Sequence, residues 1–325
     1  MRHAAIAVAL SAAVLLAASG VQAAPEGKRI AQLTPTPTQA FIVELNRAFA
    51  TRAKEFGMTV TPFYSPFDPA LQAQQVDDAI AQKFDVLAIV PVSEQAILPA
   101  LVRAKAAKIP VFLVNSPAKE GTEDTYVTWV GEDNTELGRI AARQVIKALA
   151  ESGRDGGKVA AITGALHEGV APRRVAGFKE VVAANPKVEL VAVEDAKWDT
   201  AVSERMAGQL IARFAPRGGL DAIYAMADNQ SLGVIQGVEA AGRKAGIGKT
   251  DLIVVGSNCI KPTPQLIRAG KLYSSGSQVP TRTGVLSAEL VADHLNGKPT
   301  PKAVNQPIEA ITKDNVDKWE KPCSF

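Results

Sequence analysis

The chain has 325 residues, 47% of them hydrophobic, with a mean hydropathy of +0.05 and a formal charge of +3. That length accommodates two domains of about 100–200 residues each, and the hydropathy excludes extended disorder. Lysines and arginines are scattered among acids and are not massed into a patch, so nothing electrostatic favours nucleic acid as a partner.

Arg2 and His3 precede an uncharged run from Ala4 to Ala18, which ends at Ser19 and Gly20 before small residues around Val21, Ala23 and Ala24. This is the pattern of a cleavable secretory signal. The run is too short and too alanine-rich for a spanning helix of about 20 residues. Cleavage is expected after Ala23, giving a signal peptide over residues 1–23, because cleavage after Ala24 would leave Pro25 first. No cysteine lies near the site to take a lipid, so the expected product is a soluble protein of the bacterial periplasm. The only cysteines are Cys259 and Cys323. In an exported protein such a pair leans toward a disulfide, here one that would clip the C-terminal tail to the body; two free thiols are the alternative.

From Lys28 onward, short β-branched runs alternate with segments of three-to-four apolar spacing. In chain order the spacing predicts strand Arg29–Leu33, helix Ala40–Phe56, strand Thr59–Tyr64, helix Leu71–Gln82, strand Val86–Val92, helix Ala96–Ala107, and strands Val111–Asn115 and Val127–Val130. After a crossover at Val130–Asn134, with Asn134 as helix cap, it predicts helix Thr135–Leu149, strand Val159–Thr163, helix Pro172–Ala183, strand Glu189–Val193 and helix Ala201–Phe214. Strand Ala222–Ala227, helix Leu232–Ala241, strands Leu252–Gly256 and Tyr273–Gln278, and helix Thr283–Leu295 complete the series. These are more strands than one ordinary sheet of about 4–6 holds. The fold class is therefore α/β with two similar lobes, each a parallel sheet flanked by helices, and Ala303–Ile311 is expected to return between them.

Catalytic signatures fail. His3, His167 and His294 are far apart, and metal-ligand spacing is absent. There is no G-x-S-x-G, H-E-x-x-H or C-x-x-C. Gly246–Thr250 superficially resembles a phosphate loop, but Arg243 stands where its first glycine should be, and the segment follows a helix instead of a strand. No dinucleotide fingerprint follows the first strand. Asp77 and Asp78 read as solvated charges on a helix face. Neither an enzyme nor a cofactor or metal site is expected.

Ligands of parallel sheets bind beyond the carboxyl ends of the strands. Those ends carry Thr34 with Pro35 to Thr38, Tyr64 and Ser65, Ser93, Asn115 and Ser116, Gly164, Asp228 and Asn229, Ser257 and Asn258, and Gln278. The set is neutral and amide-rich, and amides, which both donate and accept, suit a hydroxyl-covered ligand better than a phosphate or a metal. Trp198 interrupts the otherwise polar Asp195–Thr200 loop, either to cover the apolar face of a sugar or to pack between domains. Trp129 and Trp319 read as packing residues.

In this setting the chain resembles the periplasmic sugar-binding proteins of ABC importers, specifically the ribose-binding-like group of the type I fold, over Arg29–Ile311. Gln39-Ala40-Phe41 resembles a Pro-Phe-Phe helix entry with only Phe41 retained. Ile109–Ser116 is similar to an Ile-Pro-Val strand that usually ends Asp-Arg and here ends Asn115-Ser116. Arg173–Phe178 resembles an Arg-x-x-Gly-Phe helix start, which puts Arg174 at the ligand-binding arginine. Trp198 matches a cleft aromatic. Asp228 matches one member of an Asn-Asp pair whose Asn is Ala227, Val254–Asn258 a Val-Gly-Phe-Asp strand end, and Gln278 a hinge glutamine. The resemblance implies a ligand set of Thr38, Phe41, Asn115, Ser116, Arg174, Trp198, Asp228, Asn229, Asn258 and Gln278. It also implies lobes of 28–131 plus 279–310 and 132–278 plus 311–325, three crossovers, hinge closure, and delivery to a membrane permease with its ATPase.

Asn115 and Asn258 replace two family aspartates, which leaves Arg174 among fewer carboxylates. This raises a sugar acid or lactone as an alternative to the default neutral sugar or cyclic polyol. An amino acid is disfavoured for want of an Asp/Arg clamp. A chemoreceptor or sensor kinase is a further possible partner. A repressor core would need a DNA-binding module where the export signal stands, and an exported α/β enzyme lacks a nucleophile–base set.

Overall fold

The computed structural model describes residues 25–325; the expected signal over residues 1–23 lies outside them. In chain order the elements are β1 (Arg29–Thr34), α1 (Ala40–Glu55), β2 (Thr59–Tyr64), α2 (Pro69–Ala81), β3 (Val86–Ile89), α3 (Leu98–Ala106), β4 (Val111–Val114) and β5 (Thr128–Gly131). There follow α4 (Asn134–Glu151), β6 (Gly157–Thr163), α5 (Val170–Ala183), β7 (Val188–Asp195), α6 (Thr200–Phe214), β8 (Ala222–Ala225), α7 (Asp228–Ala240) and β9 (Ile253–Asn258). The chain ends with α8 (Thr263–Arg268), β10 (Ser274–Ser277), α9 (Pro280–Leu295), β11 (Ala303–Asn305) and β12 (Ala310–Ile311).

The strands form two six-stranded sheets, ordered β11-β5-β4-β3-β1-β2 and β12-β10-β9-β8-β6-β7. All pairings are parallel except β10 with β12. Central strands such as Val86–Ile89, Val111–Val114 and Ala222–Ala225 are buried along their whole length, because helices cover both faces of each sheet. Edge strand β2 is mostly exposed and holds Pro62, which an interior ladder would not tolerate. The chain passes between sheets three times, after β5, after β10, and between β11 and β12.

Four local expectations are corrected. β3 stops at Ile89 instead of Val92, because the fully buried Gln72 amide takes over the ladder: it donates to the Val90 carbonyl (2.9 Å) and accepts from the Val92 N–H (2.9 Å). Asp133, not Asn134, caps α4, its carboxylate accepting from the Glu136 N–H at 2.9 Å. Helix α7 begins at Asp228 and not at Leu232, which makes Asp228 and Asn229 its first residues. The short helix α8 was not expected from the spacing.

Helices α4 and α5 approach backbone to backbone. A Cβ on Gly138 would lie 2.0 Å from the Arg174 carbonyl oxygen, and one on Gly177 would lie 1.9 Å from that of Thr135. This reciprocal contact fixes the start of α5, and with it Arg174, against the first residues after the crossover.

Cys259, just past β9, and Cys323, near the C-terminus, are both fully buried and joined as a disulfide, with Cα atoms 5.1 Å apart. The Lys261 N–H donates to the Phe325 carbonyl at 3.0 Å, pinning the tail beside them. The bridge closes a loop of 64 residues, so its removal is expected to cost about 4 kcal/mol. Calorimetry should find the Cys259→Ser/Cys323→Ser variant melting roughly 10 °C below the oxidised parent; equal midpoints would show that the bridge contributes nothing.

The cleft between the lobes

The carboxyl ends of both sheets face one another across a cleft enclosing about 650 Å³ of atom-free space, its mouth included. The first sheet's lobe supplies Phe41 from α1, Phe67 from the turn after β2, and Asn115 and Ser116 from the end of β4. The second supplies Glu168 and Arg174 around the start of α5, Trp198 from the loop after β7, Asn229, and Asn258 from the end of β9; Gln278 enters from the second crossover.

Asn115 (φ 61°) and Asn258 (φ 101°) are in the left-handed region, where Asn is among the few non-glycine residues that sit readily. The turn out of each strand therefore aims the amide over the strand end. Trp198 has φ 63°, a conformation that costs a bulky residue about 1–2 kcal/mol. It is held there by Asn229, whose amide donates to the Trp198 carbonyl at 2.7 Å, and by Gly164: a Cβ there would lie 1.8 Å from the indole. The Trp198 ring also lies 5.7 Å from the Arg174 guanidinium.

Arg174 is 2% exposed. Its Nε donates to Asn134 Oδ1 (2.9 Å), its Nη1 to the Met226 carbonyl (2.5 Å) and Asn258 Oδ1 (3.2 Å), and its Nη2 to Gln278 Oε1 (2.5 Å). Every one of these acceptors is neutral. A guanidinium has five N–H donors, so the protein already uses most of them. Burial lowers its pKa, opposed by the fields of Tyr224, Glu132, Asp228 and Glu168. Gln278 passes the network on, its Nε2 donating to Glu132 Oε2 at 3.0 Å.

Two expected ligand residues do not line the cleft. Thr38 faces outward at the N-terminal end of α1, its hydroxyl bonded to that of Thr36 (2.9 Å). Asp228 is buried behind the cleft wall, where Oδ2 accepts from the Cys259 N–H (2.8 Å), the Thr263 hydroxyl (2.6 Å) and the Ser275 hydroxyl (2.8 Å). Conversely, Phe67 and Glu168 line it without having been expected. For Phe67 a signal existed: an aromatic within Pro66-Phe67-Asp68-Pro69, a turn following a strand. For Glu168 there was none beyond an acidic residue in a loop. Its Oε2 accepts from the Trp198 indole N–H at 3.0 Å, while Oε1 is buried without a partner; burial pushes the carboxyl up to about 8.

At the mouth, Arg173 of α5 pairs with Glu94 of the β3–α3 loop through two bonds of 2.7 and 3.2 Å, joining the lobes directly. Gly169 permits this approach: a Cβ there would lie 2.0 Å from the Glu94 carboxylate. No cluster of His, Cys, Asp or Glu that could hold a metal occurs among the described residues, and no described helix is long and apolar enough to cross a membrane.

Two like α/β lobes, three crossovers and a polar interlobe cleft define a type I periplasmic binding protein. The sequence model of the periplasmic binding protein domain matches residues 30–299, and the chain belongs to that family. It is similar to the ribose import binding protein of Haemophilus influenzae, at 25% identity covering 94% of this chain and 98% of that one. It is also similar to a xylitol-binding protein of Mycolicibacterium smegmatis, at 28% identity covering 89% and 78%. Among solved structures, the Caulobacter myo-inositol binding protein bound to myo-inositol superimposes with a TM-score of 0.83 at 21% identity, covering 90% of this chain and 96% of that one.

Asp228 offers a pH test. Burial raises its pKa from 3.8 to about 6, against the hydrogen bonds it accepts. The folded state therefore holds the proton more tightly than the unfolded chain, and this site's contribution to stability falls as pH rises from about 4 through 6. In Asp228→Asn, the retained oxygen can keep all three bonds and the amide replaces an oxygen that has none. The variant is expected to fold and to lose on the order of 2 kcal/mol less than the parent between pH 4 and 7, read from denaturation midpoints.

Proposed function

We propose that the chain is the soluble solute-binding subunit of an ABC importer, taking a neutral monosaccharide or polyol between its lobes and presenting it to a membrane permease with its ATPase. One observation carries the ligand class. The cleft meets its ligand with neutral amides and aromatic faces, while its one buried cation already spends its donors on Asn134, Met226, Asn258 and Gln278. A sugar acid needs a guanidinium free to pair in bidentate fashion, and Arg174 is not free. Asn115 and Asn258 therefore read as mixed donor–acceptor contacts for hydroxyls. Relatives that bind ribose, xylitol and allose support this reading.

Phe41, Asn115, Ser116, Trp198, Asn229 and Asn258 are the proposed contacts, with Arg174 and Gln278 tying them to the hinge. The proposal includes export through a signal cleaved after Ala23, without lipidation, which N-terminal sequencing of the secreted protein tests directly: it should begin at Ala24. Docking of the closed form on a chemoreceptor or sensor kinase would use the same closure.

A thermal-shift screen of the mature protein decides the ligand class. A neutral sugar or polyol at about 100 times its Kd should add roughly 2.7 kcal/mol and raise the midpoint by several degrees. A response confined to sugar acids or amino acids would overturn the reading. Trp198→Ala should weaken the identified ligand by at least about tenfold, near 1.4 kcal/mol, through loss of the ring's contact area.

Closure is tested separately at the Arg173–Glu94 pair. Its partners are partly exposed, so its worth is about 0.5–1 kcal/mol. Glu94→Gln should weaken binding by about two- to fivefold, and the exchange Glu94→Arg/Arg173→Glu should recover part of that loss. An unchanged Kd in Glu94→Gln would remove the pair from closure.

A further inference from the structure

Glu168 is 7% exposed, lines the cleft just before α5 begins, and has one oxygen on the Trp198 indole and the other buried without a hydrogen-bond partner. Burial disfavours its carboxylate most, and of the charges around it Asp195 adds to that while the Arg174 guanidinium opposes it without bonding to it. Arg174, on the next turn of α5, gives its hydrogen bonds to Asn134, Met226, Asn258 and Gln278. Asp195, at the end of β7, adds a like charge, with its own oxygens on the Leu166 and Lys197 N–H groups. Arg173 is engaged by Glu94, and Lys119 and His167 line the outer crevice without bonding to the carboxyl. An ionised carboxylate held dry, with one oxygen unsatisfied and no ion pair, is strongly disfavoured. A protonated carboxyl fits: its carbonyl oxygen accepts from the indole, and its O–H points into the cleft.

We propose that Glu168 is a specificity-determining residue that acts as a neutral acid, donating its O–H to an acceptor oxygen of the bound polyol, and that its ionisation weakens binding. The inference rests on the proposed function, since it assumes an oxygen-rich ligand in this cleft. It accounts for the burial of an acid beside the aromatic residue that would cover a sugar face. The upward shift of the carboxyl to about 8 places the transition on the alkaline side of neutrality. The sign follows: below about 8 the donor is present, and above it each further pH unit deprotonates the free cleft and competes with binding.

The experiment has two arms. In the ligand-free protein, carbon-13 NMR of labelled glutamate, assigned with Glu168→Gln, should show one carboxyl titrating near 8; a midpoint near 4.5 overturns the inference whatever the cleft binds. In the second arm, the strongest neutral ligand from the thermal-shift screen is titrated by calorimetry between pH 6 and 9. The parent should bind roughly tenfold more weakly at pH 9 than at pH 6. Glu168→Gln can accept from the indole and still donate into the cleft, so it should stay within about threefold of the parent at pH 6 and lose the alkaline weakening. Glu168→Met, similar in size but without a donor, should bind at least tenfold more weakly throughout. A pH-independent parent, or a Glu168→Gln variant that loses tenfold at pH 6, overturns the assignment. If no neutral sugar or polyol binds while the carboxyl still titrates near 8, the proposed function fails instead.

Discussion

The rest of the structure depends on one buried polar chain, which runs from the cleft to the hinge. The three crossovers meet at the Glu132 carboxyl. Glu132 itself belongs to the first, Gln278 (3.0 Å) and Thr283 (3.1 Å) to the second, and Gln306 of the third bonds Thr283 at 2.6 Å and Glu132 at 3.4 Å. Burial raises the Glu132 pKa, and the bonds from Gln278 and Thr283 oppose it. Arg174 joins the same chain through Gln278, and Asn134 closes it by donating to the Glu132 carbonyl while accepting from Arg174. Burying such groups is tolerable only while each has its partners, so removing any one strands several others. The guanidinium at the cleft is thus tied to the crossovers that join the lobes.

The two lobes repeat one plan, and the cleft arises from that repetition. β4 and β9 occupy the same place in their respective sheets, and an asparagine in the left-handed region stands just after the first and at the end of the second. When the lobes face, equivalent turns therefore bring two amides into one space. What differs between the lobes is the chemistry set around those amides. The first contributes Phe41 and Phe67; the second contributes Trp198, Arg174 and Glu168. Aromatic faces and amides thus come from both lobes, whereas the buried Arg174 and Glu168 come from the lobe that also carries the network to the crossovers.

The alternation of strands and helices was legible because central parallel strands are apolar along their length and the helices keep an apolar stripe. It misled where side chains replaced backbone. Gln72 imitates a ladder beyond Ile89, so an apolar run continues after the strand has ended. The small, polar β10 survives as a strand because its serines are buried and one of them, Ser275, is bonded to Asp228. At the site, residues carried by turn geometry were readable: Asn115, Asn258, Trp198 and Gln278 all reach the cleft. Asp228 looked like a ligand residue because it follows a strand, but its side chain turns back to tie α7, β10 and the start of α8 together. Glu168 was hidden for the opposite reason. Nothing in a loop sequence states that an acid will be buried against a tryptophan from another loop.

On the proposed function, these features divide affinity between contact and closure. The direct tie between the lobes at the mouth, Arg173 to Glu94, is partly exposed and weak by itself. The buried network of Glu132 spans the crossovers, which in the proposed hinge closure would move least, so it would do little to choose between open and closed states. The deep cleft groups gain most from a bridging ligand: Asn115 Oδ1 on one lobe and Glu168 Oε1 on the other are both buried without partners. Closing over an empty cleft would dehydrate both and repay neither. A ligand that bonds to both at once removes that penalty only in the closed state, which is the differential interaction that a conformational change requires. On the proposed reading, these two unsatisfied oxygens would both recognise the ligand and make closure conditional on it.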